Sequence, residues 1–388
     1  MNTSQRITTF LYSHPEFLTE MASQFYAFSE KELEKYEDKI NWDKISQNSA
    51  VGWNESLIRK FSHRLDWIAF SQNAVFAVTN LLEVFKDQID WEGEVEDGFF
   101  YSVASGNHII WTSELIDKYQ DRLNFNYLSM NEQVQWSEQL IEKYKDRWNW
   151  GNILMNDSIP WTLPLLKKFI SCMDTSMFYF QFHPILTGQL DIVEKYWDLF
   201  CVNAICMNSN LPWKEKDLLT RWKDILDWRG LAGNTALFND PQFFENNLDK
   251  WLNGPDDKFE ILSGNQALPW SIQFLERFEN RWDWEKLSQC SYLPWSAELI
   301  DRFATNWEWG GKCDGYITED EDGNQLPVPI PISNCYSTGI VTNPHLPWTI
   351  DFILKYQYRL DLDQLAENEG VWEKMFKPFW DKNLLDMM

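Results

Sequence analysis

Residues 268–292 read LPWSIQFLERFENRWDWEKLSQCSY, and residue 293 begins LPWSAELIDRFATNWEW. The two blocks align without a gap, with Trp270 and Trp295 25 residues apart. Trp111, Trp136 and Trp161 keep the same period, and Trp53 follows Phe28 by it. With the Leu-Pro-Trp tryptophan as position zero, Ser or Thr follows at +1 (Ser137, Thr162, Ser271, Ser296, Thr349). Apolar residues fill +4, +5 and +8 (Leu299, Ile300, Phe303), and a second tryptophan stands at +14 (Trp42, Trp67, Trp150, Trp284, Trp309). Leu or Ile follows at +17 (Ile45, Leu128, Leu287), and Asn at +20 (Asn48, Asn73, Asn131).

Apolar residues at 0, +4, +5, +8 and +12 have the spacing of one helix face. A hydroxyl at +1 suits a helix N-cap, and the acids after it (Glu114, Glu138, Glu298) suit the positive helix end. Asn or Asp at +13 (Asn41, Asp66, Asn149, Asp283) predicts a cap for a second, shorter helix starting at the +14 tryptophan. Asn at +20 predicts a left-handed residue that ends it. Each unit thus reads as a helix of about three turns and one of one to two turns. A lone hairpin cannot bury both aromatic faces, so neighbours must stack. The fold expected is all-α, a right-handed α-solenoid of about thirteen units. Position zero falls at Phe28, Trp53, Val78, Trp111, Trp136, Trp161, Leu186, Trp213, Asp240, Trp270, Trp295, Trp348 and Trp372.

In logic this resembles the α-solenoid class of tetratricopeptide, ankyrin and HEAT arrays, although the motif is none of theirs. The motif itself is similar to uncharacterised tryptophan-rich tandem-repeat families of microbial proteins. That resemblance covers most of the chain and implies no particular activity or site residue.

Two insertions break the period. The larger separates Trp309 from Trp348 and contains CDGYITEDEDGNQLPVPIPISNC. Its β-prone ends and turn-rich centre predict a protruding β-hairpin at 313–335 with Glu319, Asp320, Glu321 and Asp322 at its tip. Asp320, Asp322 and Asn324 suggest a calcium loop, but the sixth-position glycine and a clear twelfth-position acid are missing, which favours a solvated turn. Cys313 and Cys335 flank the hairpin, either as a disulfide or, in a reducing compartment, as free thiols. The second insertion carries Glu92, Glu94, Glu96 and Asp97 before Phe99, Phe100 and Tyr101. The organisation expected is an N-terminal cap (1–27), repeats (28–309), the acidic insertion (310–345), and last repeats with a C-terminal cap (346–388).

The 23 tryptophans read chiefly as core, given their burial preference. A net charge of −25 argues against direct binding to nucleic acid or anionic lipid. No apolar run approaches the ~20 residues of a membrane span. Residues 1–17 lack a signal-peptide pattern, and a cytoplasmic setting is expected. No nucleophile elbow, phosphate loop, dinucleotide turn or zinc-helix motif occurs. His14, His63, His108, His183 and His345 share no repeat position. The expectation is a non-enzymatic, cofactor-free adaptor, inhibitor or immunity-type protein with a basic protein partner, contacted by the two acidic insertions. Nucleic-acid mimicry, and a small-molecule or glycan binder using exposed Trp, are the alternatives.

Overall fold

A computed structural model describes residues 2–96, 99–169, 172, 190–195, 201–253, 258–312, 316–319, 325–331 and 336–388. These are mainly helical, in short segments. The chain divides into two compact units, one of residues 1–44 with 259–388 and one of residues 45–258. The position-zero residue Leu186, His183, Cys313 and Cys335 lie outside the described residues.

The repeat at Trp136 shows how the sequence builds each hairpin. Ser137 is extended, and its hydroxyl accepts the Leu140 amide at 3.1 Å, starting the helix Glu138–Lys143. Leu140 and Ile141 face the core. The Trp148 indole donates to the Ile141 carbonyl at 3.1 Å, an oxygen that a longer helix would offer to the Lys145 amide. Lys145 instead donates to Glu142, and the helix stops. Trp282 does the same to Leu275, and Trp307 to Ile300. The first helix is six residues rather than about three turns; in these three units the +12 tryptophan takes the carbonyl that would extend it, and Glu30–Lys35, with Ile40 at +12, is as short without one. Asn149 then accepts the Asn152 amide at 3.1 Å and starts the second helix, Trp150–Met155. The same +13 cap recurs at Asp66, Asn124, Asp283 and Asp361. The +14 indole donates five residues back, as from Trp150 to Lys145 and from Trp284 to Glu279.

The +20 asparagine behaves differently from its sequence reading. Asn131, Asn156 and Asn343 are extended, with φ of −75°, −83° and −79°. Among the described residues the one non-glycine residue with positive φ is Asp217. These asparagines are buried, and they join one unit to the next. Asn156 Nδ2 donates to the carbonyls of Ser129 at 3.0 Å and Asn131 at 3.2 Å, while its Oδ1 accepts the Ser158 amide at 3.0 Å. Asn73 reaches Ser46 and Asn48, Asn131 reaches Ala104 and Gly106, and Asn234 reaches Cys206 and Asn208. Asn343 reaches Ser288 and Cys290. A left-handed backbone would turn the side chain away from these helix-end carbonyls, which have few other partners once buried.

A buried serine at +18 is the second bolt. Ser129 donates to Phe125 O at 2.5 Å and accepts the Asn149 amide, at the start of the next unit's short helix, at 3.0 Å. Ser71 treats Asp90 alike, Ser263 treats Asp283, and Ser288 treats Glu308. Around these bonds the rings pack edge to face, as in Trp136 on Trp148 and Trp284 on Trp307, each ring adding an apolar burial worth about 1.5–3 kcal/mol.

Short antiparallel strand pairs mark the insertions. Glu94–Glu96 pairs with Phe99–Tyr101, and Tyr316–Glu319 with Gln325–Pro331. The tip between the latter strands lies outside the described residues, so this backbone pairing does not establish the protruding acidic hairpin expected there.

Asn156→Leu strands the Ser129 carbonyl and the Ser158 amide, while the Asn131 carbonyl keeps the Val134 amide at 3.5 Å, and should cost about 2–4 kcal/mol at one to two kcal/mol per stranded group. Asn107→Leu, at an exposed site, should stay within about 0.5 kcal/mol. Denaturant midpoints measure both. Equal effects would contradict the bolt.

Candidate interaction surface

The two acidic groups singled out from sequence are placed only in part. Glu92 is exposed, and its carbonyl accepts Asn124 Nδ2 at 2.7 Å. Of Glu94, Glu96 and Glu319 the backbone alone is described, with Glu94 opposite Tyr101, Glu96 opposite Phe99 and Glu319 opposite Gln325. Asp97, Asp320, Glu321 and Asp322 lie outside the described residues, and so does the Asp320–Asn324 turn weighed as a calcium loop. The two groups belong to different compact units.

Within each compact unit the described side chains form two contrasting edges. On the first, a cation of one unit, joined in three cases by the tyrosine after it, holds an acid of the unit before. Lys143 Nζ lies 2.5 Å from Asp117, and Tyr144 donates its hydroxyl to the same oxygen at 2.6 Å. Lys118 and Tyr119 hold Glu83 at 2.8 and 2.9 Å, with Lys86 adding a third contact at 2.7 Å. Lys168 reaches Glu138 and Glu142. In the other compact unit Lys355 and Tyr356 hold Asp301, and Arg302 holds Glu276. The hydrogen bonds from Lys118, Lys86 and Tyr119 bring the Glu83 carboxyl down to about 2. Those from Lys143 and Tyr144 hold Asp117 below the usual range. Burial first, and then the bond to Asp117, pushes the Tyr144 hydroxyl up to about 12. Solvent-exposed pairs of this kind add little stability, so the ladder chiefly fixes register and neutralises cations.

The second edge is the turn running from the +18 serine to the next Leu-Pro-Trp. Residues 104–112, 129–137 and 154–162 contain no Lys or Arg. Neither do 46–54, 71–79, 263–271, 288–296 and 341–349. In the adjacent units at Trp111 and Trp136 this edge exposes large apolar side chains, Ile110 at 58%, Met130 at 50% and Met155 at 45%. Exposed Glu132 and Asp157 stand two residues after the methionines. Register is set by the backbone: Trp111 donates to Gln133 O at 3.0 Å, Gln135 donates to Trp111 O at 2.9 Å, and Asn156 ties Met155's helix to Met130's. Methionine and acid therefore repeat at the same position of two stacked units. The sequence carries this signal as the cation-free turn.

Chemistry is sparse in the described residues. His14 Nδ1 lies 2.8 Å from Phe10 O at a helix end, and His108 is exposed. Cys206 stands where other units have the bolt serine and accepts the Asp227 amide at 3.4 Å. Burial pushes its thiol up to about 12, and raises that of Cys290. No cluster of three or more His, Cys, Asp or Glu that could hold a metal occurs among the described residues. A surface depression of about 320 Å³ is lined by Trp228, Asp249, Lys250, Asn253 and Lys258, which offer no nucleophile beside a base. No described helix is long and apolar enough to cross a membrane.

No family model matches the chain, and no curated protein or solved structure matches it either.

Glu83 titrates lower in the folded chain than its ordinary 4.5, so the ladder's contribution is complete above 4.5 and is lost as pH falls towards about 2. Glu83→Gln should therefore flatten the fall in Tm across that window. An unchanged acid slope would mean that the Glu83 contacts add no measurable stability.

Proposed function

We propose that the chain is a tryptophan-rich repeat protein of the α-solenoid type, a right-handed array of about thirteen units. It binds a basic protein as adaptor, inhibitor or immunity-type factor. One observation carries the reading: the Met130–Glu132 and Met155–Asp157 turns, with Ile110, form a repeated apolar and acidic edge without a cation. Lysines 118, 143 and 168 are engaged on the other edge by Glu83, Asp117, Glu138 and Glu142. Glu132 and Asp157 are thus displayed, with no cation in their turns, where apolar side chains are also exposed.

The occupant this edge fits is a Lys/Arg-bearing segment with apolar side chains. Methionines adapt their shape to such a segment, and carboxylates at the rim steer it and set its orientation. Glu92 and the strand Glu94–Glu96 belong to the same compact unit and extend the acidic character of the binding region. Glu319–Asp322 remains a second proposed contact. Catalysis has no support in the residues described, and the reading is of a binding protein in the cytoplasm.

A tagged full-length chain should capture one stoichiometric basic protein from its native host at low salt and release it at high salt. Glu132→Lys with Asp157→Lys should weaken that complex about tenfold or more, since like charges then face the partner. Equal capture by the charge-reversed chain would remove this edge from the site. No capture at either salt by the folded wild type would remove the reading as a whole.

A further inference from the structure

Helices α1 (Thr3–Ser13) and α2 (Pro15–Phe25) do not carry the repeat motif, yet they pack in its register. Chain ends commonly lie near each other in domains, so proximity alone says little. The substitutions made at each joint say more.

Between ordinary neighbours, short helices lie side by side, as Phe125–Met130 does with Trp150–Met155. The earlier unit's buried serine accepts an amide of the later unit, and a cation on the later first helix reaches an acid on the earlier one. The N-terminal hairpin does each of these things. Its α2 packs on Leu362–Ala366, the short helix of the unit at Trp348, and α1 packs on that unit's first helix, Ile350–Tyr356. Arg6 of α1 pairs with Asp351 of that helix, as a later unit does with an earlier one. Towards the unit at Phe28 the hairpin plays the opposite part. Ser23, fully buried beside the equally buried Ala22, accepts the Asn41 amide at 2.9 Å, the bond that Ser129 makes to Asn149. Glu20 adds two contacts to Asn41 Nδ2 at 2.8 and 3.0 Å.

One part is missing from α1 and is supplied from the other end of the chain. Lys35 and Tyr36 occupy the positions that elsewhere hold an acid of the preceding first helix, and α1 has no acid. Asp386 takes their place, 2.6 Å from Lys35 Nζ and 2.7 Å from the Tyr36 hydroxyl. The same C-terminal segment lays Phe376 on Phe17, Trp372 on Phe25 and Trp380 on Tyr26, with ring centroids 5.5, 6.0 and 5.2 Å apart.

We infer that α1–α2 is a disguised repeat that follows the unit at Trp348 and precedes the unit at Phe28, with residues 372–388 as the strap that seals this joint. The packing order then passes from the C-terminal units through the N-terminal hairpin into the first repeat, and the array has no frayed end there. On this reading residues 1–27 are a unit rather than a cap. The device does not depend on what the array binds.

Two measurements on the full chain test it. In the wild type, backbone amides of α1 and α2 should exchange within about tenfold of those in Ile350–Tyr356, as for one cooperative block. Phe17→Leu and Phe376→Leu should be coupled, the double variant's unfolding constant departing from the product of the single effects by about threefold or more, as for interacting aromatic pairs. Slow exchange with coupling supports the closure. Exchange about a hundredfold faster in α1–α2 than in Ile350–Tyr356 overturns it, and needs no variant to fold. Slow exchange with independent effects also overturns it, because the hairpin would then be held by something other than the C-terminal strap.

Discussion

A buried asparagine amide that bonds backward to two carbonyls and forward to one amide is the constraint from which the rest follows. Each unit ends a short helix inside the stack, and the carbonyls exposed by that ending must be paired. Asn156, Asn131 and Asn343 each do this with one side chain, and each backward bond spans a unit boundary. Because the bolt is set by geometry and not by chain length, insertions are tolerated between bolts. Asn343 reaches Ser288 and Cys290 across the residues inserted after Trp309, in the register that Asn156 uses across one period.

Tryptophan has a polar task beside its apolar one. Indoles at +12 and +14 close helix ends by taking backbone carbonyls, and the position-zero indoles of Trp213, Trp270, Trp295 and Trp348 donate five residues back. A phenylalanine would leave these oxygens unpaired, which gives a physical reason for tryptophan at these positions, whereas the buried Trp111 and Trp136 indoles make no such bond. Charge follows the same order. The cations sit on helix faces where the preceding unit offers acid, and the turns between units carry none, so Glu132 and Asp157 stand with no cation in their own turns beside exposed Met130 and Met155.

Much of the architecture was legible in the residues. The Ser/Thr cap at +1 and the Asp/Asn cap at +13 act through local hydrogen bonds, so spacing alone reveals them. The asparagine at +20 was misread because its partners are a unit away, and local propensity favours a left-handed turn residue. The serine at +18 was visible in the motif but silent, since its role also lies across a boundary. First-helix length was misread as well: a tryptophan takes the extending carbonyl in three units, and Glu30–Lys35 is as short without one. The acidic insertions drew attention as breaks in the pattern, while the methionine edge is a regular feature and stands out only when exposure is known. The N-terminal hairpin lacks the motif altogether, so its place in the stack rests on contacts that no periodicity encodes.

The central claim, that asparagine side chains bolt successive units together, is tested most directly by hydrogen exchange of the side-chain amides themselves, resolved by NMR with assignment of Asn73, Asn131, Asn156, Asn234 and Asn343. The account predicts that these Nδ2 protons exchange slowly, with protection approaching that of the buried backbone amides beside them, while exposed Asn107 exchanges freely. Rapid exchange at the five buried positions, indistinguishable from Asn107, would contradict it.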